Sequence, residues 1–313
     1  MRATREHELP PELQPVLRRA RRLEWATIAY LLSVIVLLGL VMGSSQALRT
    51  AWVEDLISLV PPIGFLIADR VRRRPGTGRF PYGFHRAVTV AYLMSSFAIF
   101  AFGGILLADG AVHLARGERV SIGALELFGR TVWQGWAMLL VLVWAIVPAV
   151  VLGRLKLGPA RRLHDKSLYA DARMNKADWL SGAAAGFGVV GIGLGWWWAD
   201  AVGAIVISLD IVADGWKNLG AAIADLMDRV PMRVEHDRES EVPEEVLDRV
   251  RALPWVESAE LRFREHGHVY FGEIWVAARQ PGDAVARTAE VLRVARGADW
   301  RVHDLVVQLE AAE

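Results

Sequence analysis

The sequence predicts a polytopic α-helical membrane protein, with six transmembrane helices and a small α+β domain at its C-terminal end. Three observations carry that expectation. Of the 313 residues 53% are hydrophobic, mean hydropathy is +0.27, and the charge is crowded into a few blocks. Six apolar stretches approach the ~20 helical residues that a hydrocarbon core demands. Beyond about Met232 the composition turns polar, and shorter helical and alternating patterns replace the long apolar runs.

Residues 1–23 are too charged for a signal peptide and read as a cytoplasmic leader, with an amphipathic turn around Leu13-Gln14-Pro15-Val16-Leu17. A membrane domain over 24–230 follows, its apolar segments at 25–43, 48–68, 87–109, 132–153, 168–195 and 198–219. The fifth is rich in Gly and Ala, which lets neighbouring helices approach closely. Basic residues set the orientation. Arg18, Arg19, Arg21 and Arg22 precede the first segment. Arg70, Arg72, Arg73, Arg74, Arg79 and Arg86 fill the second connection, and Arg154, Lys156, Arg161, Arg162 and Lys166 fill the fourth. The opposite connections are poor in such residues, so both termini are expected in the cytoplasm. Membrane lipid, in a bacterial inner membrane, is the expected surround, and no nucleic-acid partner is expected. The absence of cysteine excludes disulfides and thiolate metal ligands.

The C-terminal domain, 231–313, opens with helical spacing over Pro243–Leu253, where Glu244 and Glu245 suit a helix start. Residues 258–264 and 269–278 alternate like strands around a His266-Gly267-His268 turn. Helical spacing returns over 283–296 and a last strand over 301–309. The order α-β-β-α-β is a small sheet with helices on one face, of the ferredoxin-like kind.

Within this apolar background Glu54 and Asp55 lie in the second segment and Asp178 in the fifth. A charge near the bilayer centre costs roughly 3 kcal/mol on insertion scales, and such residues mark ion or proton sites by default. Asp171, Asn175 and Asp178 fall at i, i+4 and i+7 and share one helical face, as do Glu54 and Ser58. Pro61-Pro62 just below frees backbone carbonyls.

Several local motifs extend this pattern: Arg74-Pro75 followed by Pro81-Tyr82-Gly83, Ala170-Asp171 followed by Met174-x-x-x-Asp178, Ala199-Asp200-Ala201, and Leu226-Met227-Asp228-Arg229-Val230-Pro231. With the helix count and the terminal αββαβ order, the chain resembles the cation diffusion facilitator family of divalent-metal/proton antiporters. The resemblance implies homodimeric efflux of a divalent cation in exchange for protons. The metal is then cargo, no cofactor is needed, and the protein is not an enzyme. It also implies a transport site of two residues four apart on helix two and two more on helix five. Those positions are Glu54 and Ser58, and Met174 and Asp178. Asp55 and Asn175 stand one residue away, where a small rotation would recruit them, and Asp171 assists. Carboxylates with an amide and a hydroxyl form a hard ligand set suited to manganese, iron or magnesium-like cations, whereas Met174 pulls toward softer ions.

Other readings of these residues stay open. Glu54 and Asp178 could pair with Arg49, Arg173 or Lys176, Met174 could be packing, and Asn175 a helix–helix hydrogen bond. Asp200 reads as the cap of the sixth helix. Asp210, ten residues deeper, reads as a proton-coupling carboxylate, and Asp214 reaches the cytoplasmic interface. His164, His266 and His268 read as solvated. In the resemblance, the terminal domain's metal positions are Ala259, Trp275 and Gln308, so this domain reads as a dimerisation module. Arg86 and Asp228 are expected to pair at the cytoplasmic ends of helices three and six. The competing function is a non-transporting scaffold or regulatory relative with a degenerate metal site.

Overall fold

The structure, a computed structural model, describes residues 9–118, 121–127, 130–280 and 282–311, without the side chains of 125–127, 130, 176–178 and 311. Its first helix, α1 (Gln14–Val41), begins inside the expected leader. Pro15 suits a first helical turn. Val16, Leu17 and Ala20 are buried against Phe65, Ala160, Leu163 and Leu168. Burial of this apolar stripe carries the helix back past the expected boundary at residue 23.

The second apolar segment is two helices, α2 (Gln46–Ile57) and α3 (Val60–Arg72). Pro61 and Pro62 have no N–H to offer the carbonyls of Ile57 and Ser58, so the helix breaks there. The ladder resumes with Ile63 N–H donating to the Leu59 carbonyl at 3.2 Å. Next comes α4 (Ala87–Arg116), closed by Gly117 at φ 62°. A hairpin that the sequence reading did not foresee follows, β1 (Ala124–Leu127) with β2 (Arg130–Trp133). It takes Val132 and Trp133 out of the expected fourth segment. The helix α5 (Gln134–Leu163) starts after it and runs past the expected end at 153, with Pro148 and Pro159 inside. The pair α6 (Lys166–Gly193) and α7 (Ala199–Leu226) completes the bundle.

Among the described residues, four stretches are long and apolar enough to cross a membrane: Pro11–Val41, Gln46–Arg72, Ala87–Arg116 and Gln134–Leu163. The helices α6 and α7 are each 28 residues long but carry more charge. Two close approaches hold α7 in place. A Cβ at Gly215 would sit 2.6 Å from the backbone nitrogen of Phe100 on α4, and one at Gly203 would sit 2.7 Å from the Ala184 carbonyl on α6. Only glycine lets backbones come this near. The core between the helices is built from Val34, Leu38, Leu48, Ile99, Met138, Leu142, Val189 and Ile207.

The C-terminal portion follows the expected order: α8 (Val242–Arg251), β3 (Val256–His266), β4 (Val269–Ala278), α9 (Ala284–Ala298) and β5 (Val302–Ala311). The sheet runs β3-β4-β5, antiparallel then parallel, with Glu260 opposite Trp275 and Trp275 opposite Gln308. Val246, Val250, Phe263, Ile274, Val276 and Val291 form its core beneath α8 and α9.

The tip of the β3–β4 hairpin docks against the membrane helices, and here the solvated-histidine expectation fails. His266 and His268 are buried, as is His164. Gly267, at φ 67°, lies so close to the loop before α4 that a Cβ would meet the His85 carbonyl at 2.6 Å. His268 Nε2 stands 3.3 Å from Asp165 Oδ2, and His266 Nε2 2.8 Å from the Arg86 guanidinium. His164 Nδ1 lies 3.0 Å from the Arg301 guanidinium. Lys166 Nζ donates to Glu265 at 2.9 Å and to Asp225 at 3.2 Å. Burial, then Arg72 nearby, pushes His268 down to about 3. Burial, then Arg86, pushes His266 down to about 4. Burial pushes Glu265 up to about 7, against the pull of Lys166. The expected pair of Arg86 with Asp228 is present at this joint.

Candidate metal site

The site is positioned from the N-terminus of α2. Asp200 lies in the first turn of α7 but does not cap it, because Trp198 holds the N-cap position without a side-chain bond. Its carboxylate instead accepts from Ser45 Oγ, Gln46 N–H and Ala47 N–H. Those are the orphan donors that begin α2, and Ser45 Oγ accepts from Leu48 N–H as well. The cap is therefore supplied across the bundle, and it ties α2 to α7.

Two turns along α2 lies Glu54. Its Oε1 accepts from Ser181 Oγ of α6 at 2.9 Å. Around it a narrow cleft is lined by Met174 and Ser181 of α6, Ile99 of α4, and Asp210, Asp214 and Asn218 of α7. Met174, residue 178 and Ser181 follow at i, i+4 and i+7, so α6 presents position 178 on the face that carries two lining residues. The side chain of Asp178 lies outside the described residues. Asp214 and Asn218 also line a second cleft, which continues to Arg173, Lys217, Glu235 and His236. Tyr92 of α4 donates to Asn218 Oδ1 at 3.0 Å and braces this wall. The two clefts thus share Asp214 and Asn218 as a common wall.

The other expected residues are placed apart from this cleft. Ser58 is buried at the broken end of α2, where its N–H donates to the Glu54 carbonyl. Asp55 is half-buried, with no hydrogen-bond or ion-pair partner among the described residues. Asn175 is buried, and its Nδ2 has no partner among the described residues. Asp171 is engaged elsewhere. Lys156 of α5 binds it in a buried pair and also donates to Glu24 of α1 at 3.0 Å. A carboxylate committed to a buried ammonium is a poor metal ligand. No ready-made group of metal ligands stands among the described residues.

Sequence reasoning missed Ser181, Glu24 and Lys156. Ser181 sits seven residues after Met174 on one helical face, a signal that was available. Glu24 and Lys156 were hidden among arginines read only as markers of orientation.

A family model described as the cation efflux transmembrane domain matches residues 25–227, most of the helical bundle. The chain belongs to the cation efflux family. This is the cation diffusion facilitator family, one of transporters and not of enzymes, in which a metal cation is cargo and no resident cofactor is required. The chain is accordingly an integral membrane protein. It is similar to the uncharacterized transporter YdbO of Bacillus subtilis (strain 168), 27% identical over 201 residues, 63% of this chain and 64% of that one. It is also similar to the manganese efflux system protein MneS of the same organism, 27% identical over 191 residues, 60% of this chain and 61% of that one. The match thus spans less than two thirds of either relative's length.

Proposed function

We propose that this cation efflux protein is a homodimeric secondary transporter, which exports a divalent metal cation across a bacterial inner membrane in exchange for protons. In this reading six spans, α1, α2 with α3, α4, α5, α6 and α7, cross the bilayer over 24–230, with both termini in the cytoplasm. Residues 231–313 form a ferredoxin-like dimerisation domain. Glu54 and Asp178 are the principal ligands. Met174, Asp55, Ser58 and Asn175 are within a small helix rotation of joining them.

The observation that carries the reading is Glu54 itself, a carboxylate inside the bundle that faces a cleft lined by Asp210 and Asp214. An ionisable residue inside a membrane bundle marks an ion or proton site by default. Carboxylates suit exchange because metal and proton compete for the same oxygens, and rocking of the helices about a fixed site exposes it to each side in turn. The hard oxygen set favours manganese or a similar ion, and manganese efflux is what MneS is named for.

Purified protein in sealed vesicles with a pH gradient, challenged with manganese, iron, cobalt, nickel, zinc and magnesium, tests the reading. Gradient-driven manganese uptake, with counterflow of protons, is expected. Failure to move any of these metals would instead favour a non-transporting scaffold.

A further inference from the structure

Glu24 of α1, Lys156 of α5 and Asp171 of α6 form a buried cluster, in which Glu24 and Lys156 have no exposed surface. Lys156 Nζ donates to both carboxylates. The shared ammonium brings the two carboxyls together. Among the described residues, Glu24 Oε1 is buried with no hydrogen-bond partner. Among the described residues no other charged side chain is ion-paired to the three. Neighbouring charges on the packed elements are otherwise engaged or in solvent. Arg21 of α1 pairs with Asp69 of α3 at 2.8 Å, which also holds Arg72 and Arg73, and Arg154 and Arg173 are exposed.

Two carboxylates against one ammonium leave an unbalanced negative charge in a dry place, and a buried acid in that position neutralises by taking up a proton. The unpartnered Glu24 Oε1 is the atom with room for it. Asp171 also shares a face of α6 with Asn175, whose buried Nδ2 has no partner among the described residues, and with position 178, two turns or about 10 Å further along the axis.

We propose that Glu24, Lys156 and Asp171 are a proton-binding site, with one exchangeable proton on Glu24, set between the Glu54 cleft and the cytoplasm and loaded and emptied during transport. This rests on the proton-exchange reading above. The cluster joins α1, α5 and α6, so movement of α6 opens it to water; the neutral Glu24 carboxyl then gives its proton to that water and becomes a hydrated carboxylate, while Lys156 stays an ammonium.

Infrared difference spectra of the full-length protein in lipid, stepped through pH, read the proton directly. A protonated-carboxyl band is expected in the wild type and in Glu54→Gln, and its loss in Glu24→Gln. In vesicles, Glu24→Gln fixes the neutral state, so the pH profile of its transport rate should lose the step set by Glu24 and keep the one set by Glu54, while metal affinity at the Glu54 cleft is unchanged. Should Glu24→Gln fail to assemble, Asp171→Asn removes the other carboxyl and must abolish the same band. A Glu24→Gln protein that keeps the band, or the wild-type pH profile, overturns the site and leaves a structural ion pair. Wild-type vesicles that move metal without protons would instead sink the exchange reading, with the band still assigned to Glu24.

Discussion

Ser181 holds the Glu54 carboxylate by one hydrogen bond at 2.9 Å. Losing one donor to a charged acceptor costs about 1.5–3 kcal/mol, so Ser181→Ala should weaken metal affinity by roughly ten-fold or more, with thermal stability nearly unchanged. Calorimetric titration of the purified protein reads this, and wild-type affinity would remove Ser181 from the site. Asp200 acts on stability instead. Loss of the cap that it supplies to α2 should cost about 1–2 kcal/mol, and Asp200→Ala should melt correspondingly earlier, with α2 amides exchanging faster. At this scale the sequence was legible where a residue is anomalous by itself. An acid in an apolar run announces Glu54, and Asp at a helix start announces a cap. Which helix Asp200 caps was not legible, because its partners lie more than 150 residues away in the chain. Lys156 was unreadable for a related reason: a lysine among arginines looks like an interface charge until α5 is seen to carry it into contact with Glu24 and Asp171.

The elements repeat this division. Pro61-Pro62 foretells the break between α2 and α3 because the missing N–H groups are local facts. The αββαβ order follows from local periodicity as well. The β1–β2 hairpin was not legible, since its four-residue strands carry too short a pattern. Nor was the inward extension of α1 to Gln14, which depends on Phe65 and Leu163 being there to bury its stripe. The contact of α4 with α7 leaves no space for a methyl group at Gly215. Gly215→Ala should therefore destabilise the bundle by about 1–3 kcal/mol and displace Asp214 on the same helix, and a variant with unchanged melting and transport would contradict this packing. At the β3–β4 tip the pH dependence can be signed. Burial favours neutral His268, so its contribution is complete above the usual 6.5 and is lost as pH falls toward about 3. Glu265 runs the opposite way: its contribution is complete below the usual 4.5 and is lost as pH rises through about 7. His266, pushed down to about 4, acts with His268, and the two outweigh Glu265, so hydrogen-exchange protection of residues 266–269, corrected for intrinsic rates, should fall between about pH 6.5 and 4 in the wild type. In His268→Gln the fall should be smaller, and an identical profile would show that another group sets it.

For the whole molecule, a polar joint ties the β3–β4 tip to the ends of α4, α6 and α7. Arg86 pairs with Asp228, their side chains 38% and 39% exposed, and Arg86 also donates to the Leu226 carbonyl at 3.3 Å. An exposed pair of this kind contributes about 1 kcal/mol at most, so its value lies in fixing geometry. Arg86→Asp and Asp228→Arg should each impair transport in vesicles, and the double swap should restore part of it. A double variant no better than the singles would leave two independent charges. This pair was legible from motif spacing, whereas the inserted histidine turn was not, because two imidazoles in a polar turn look solvated until a docking surface is supplied. The central claim is that metal and proton compete for Glu54, and proton release on metal addition measures it most directly. Manganese added to the purified protein in weak buffer should liberate protons in the wild type and far fewer in Glu54→Gln. Equal release from both would contradict the account.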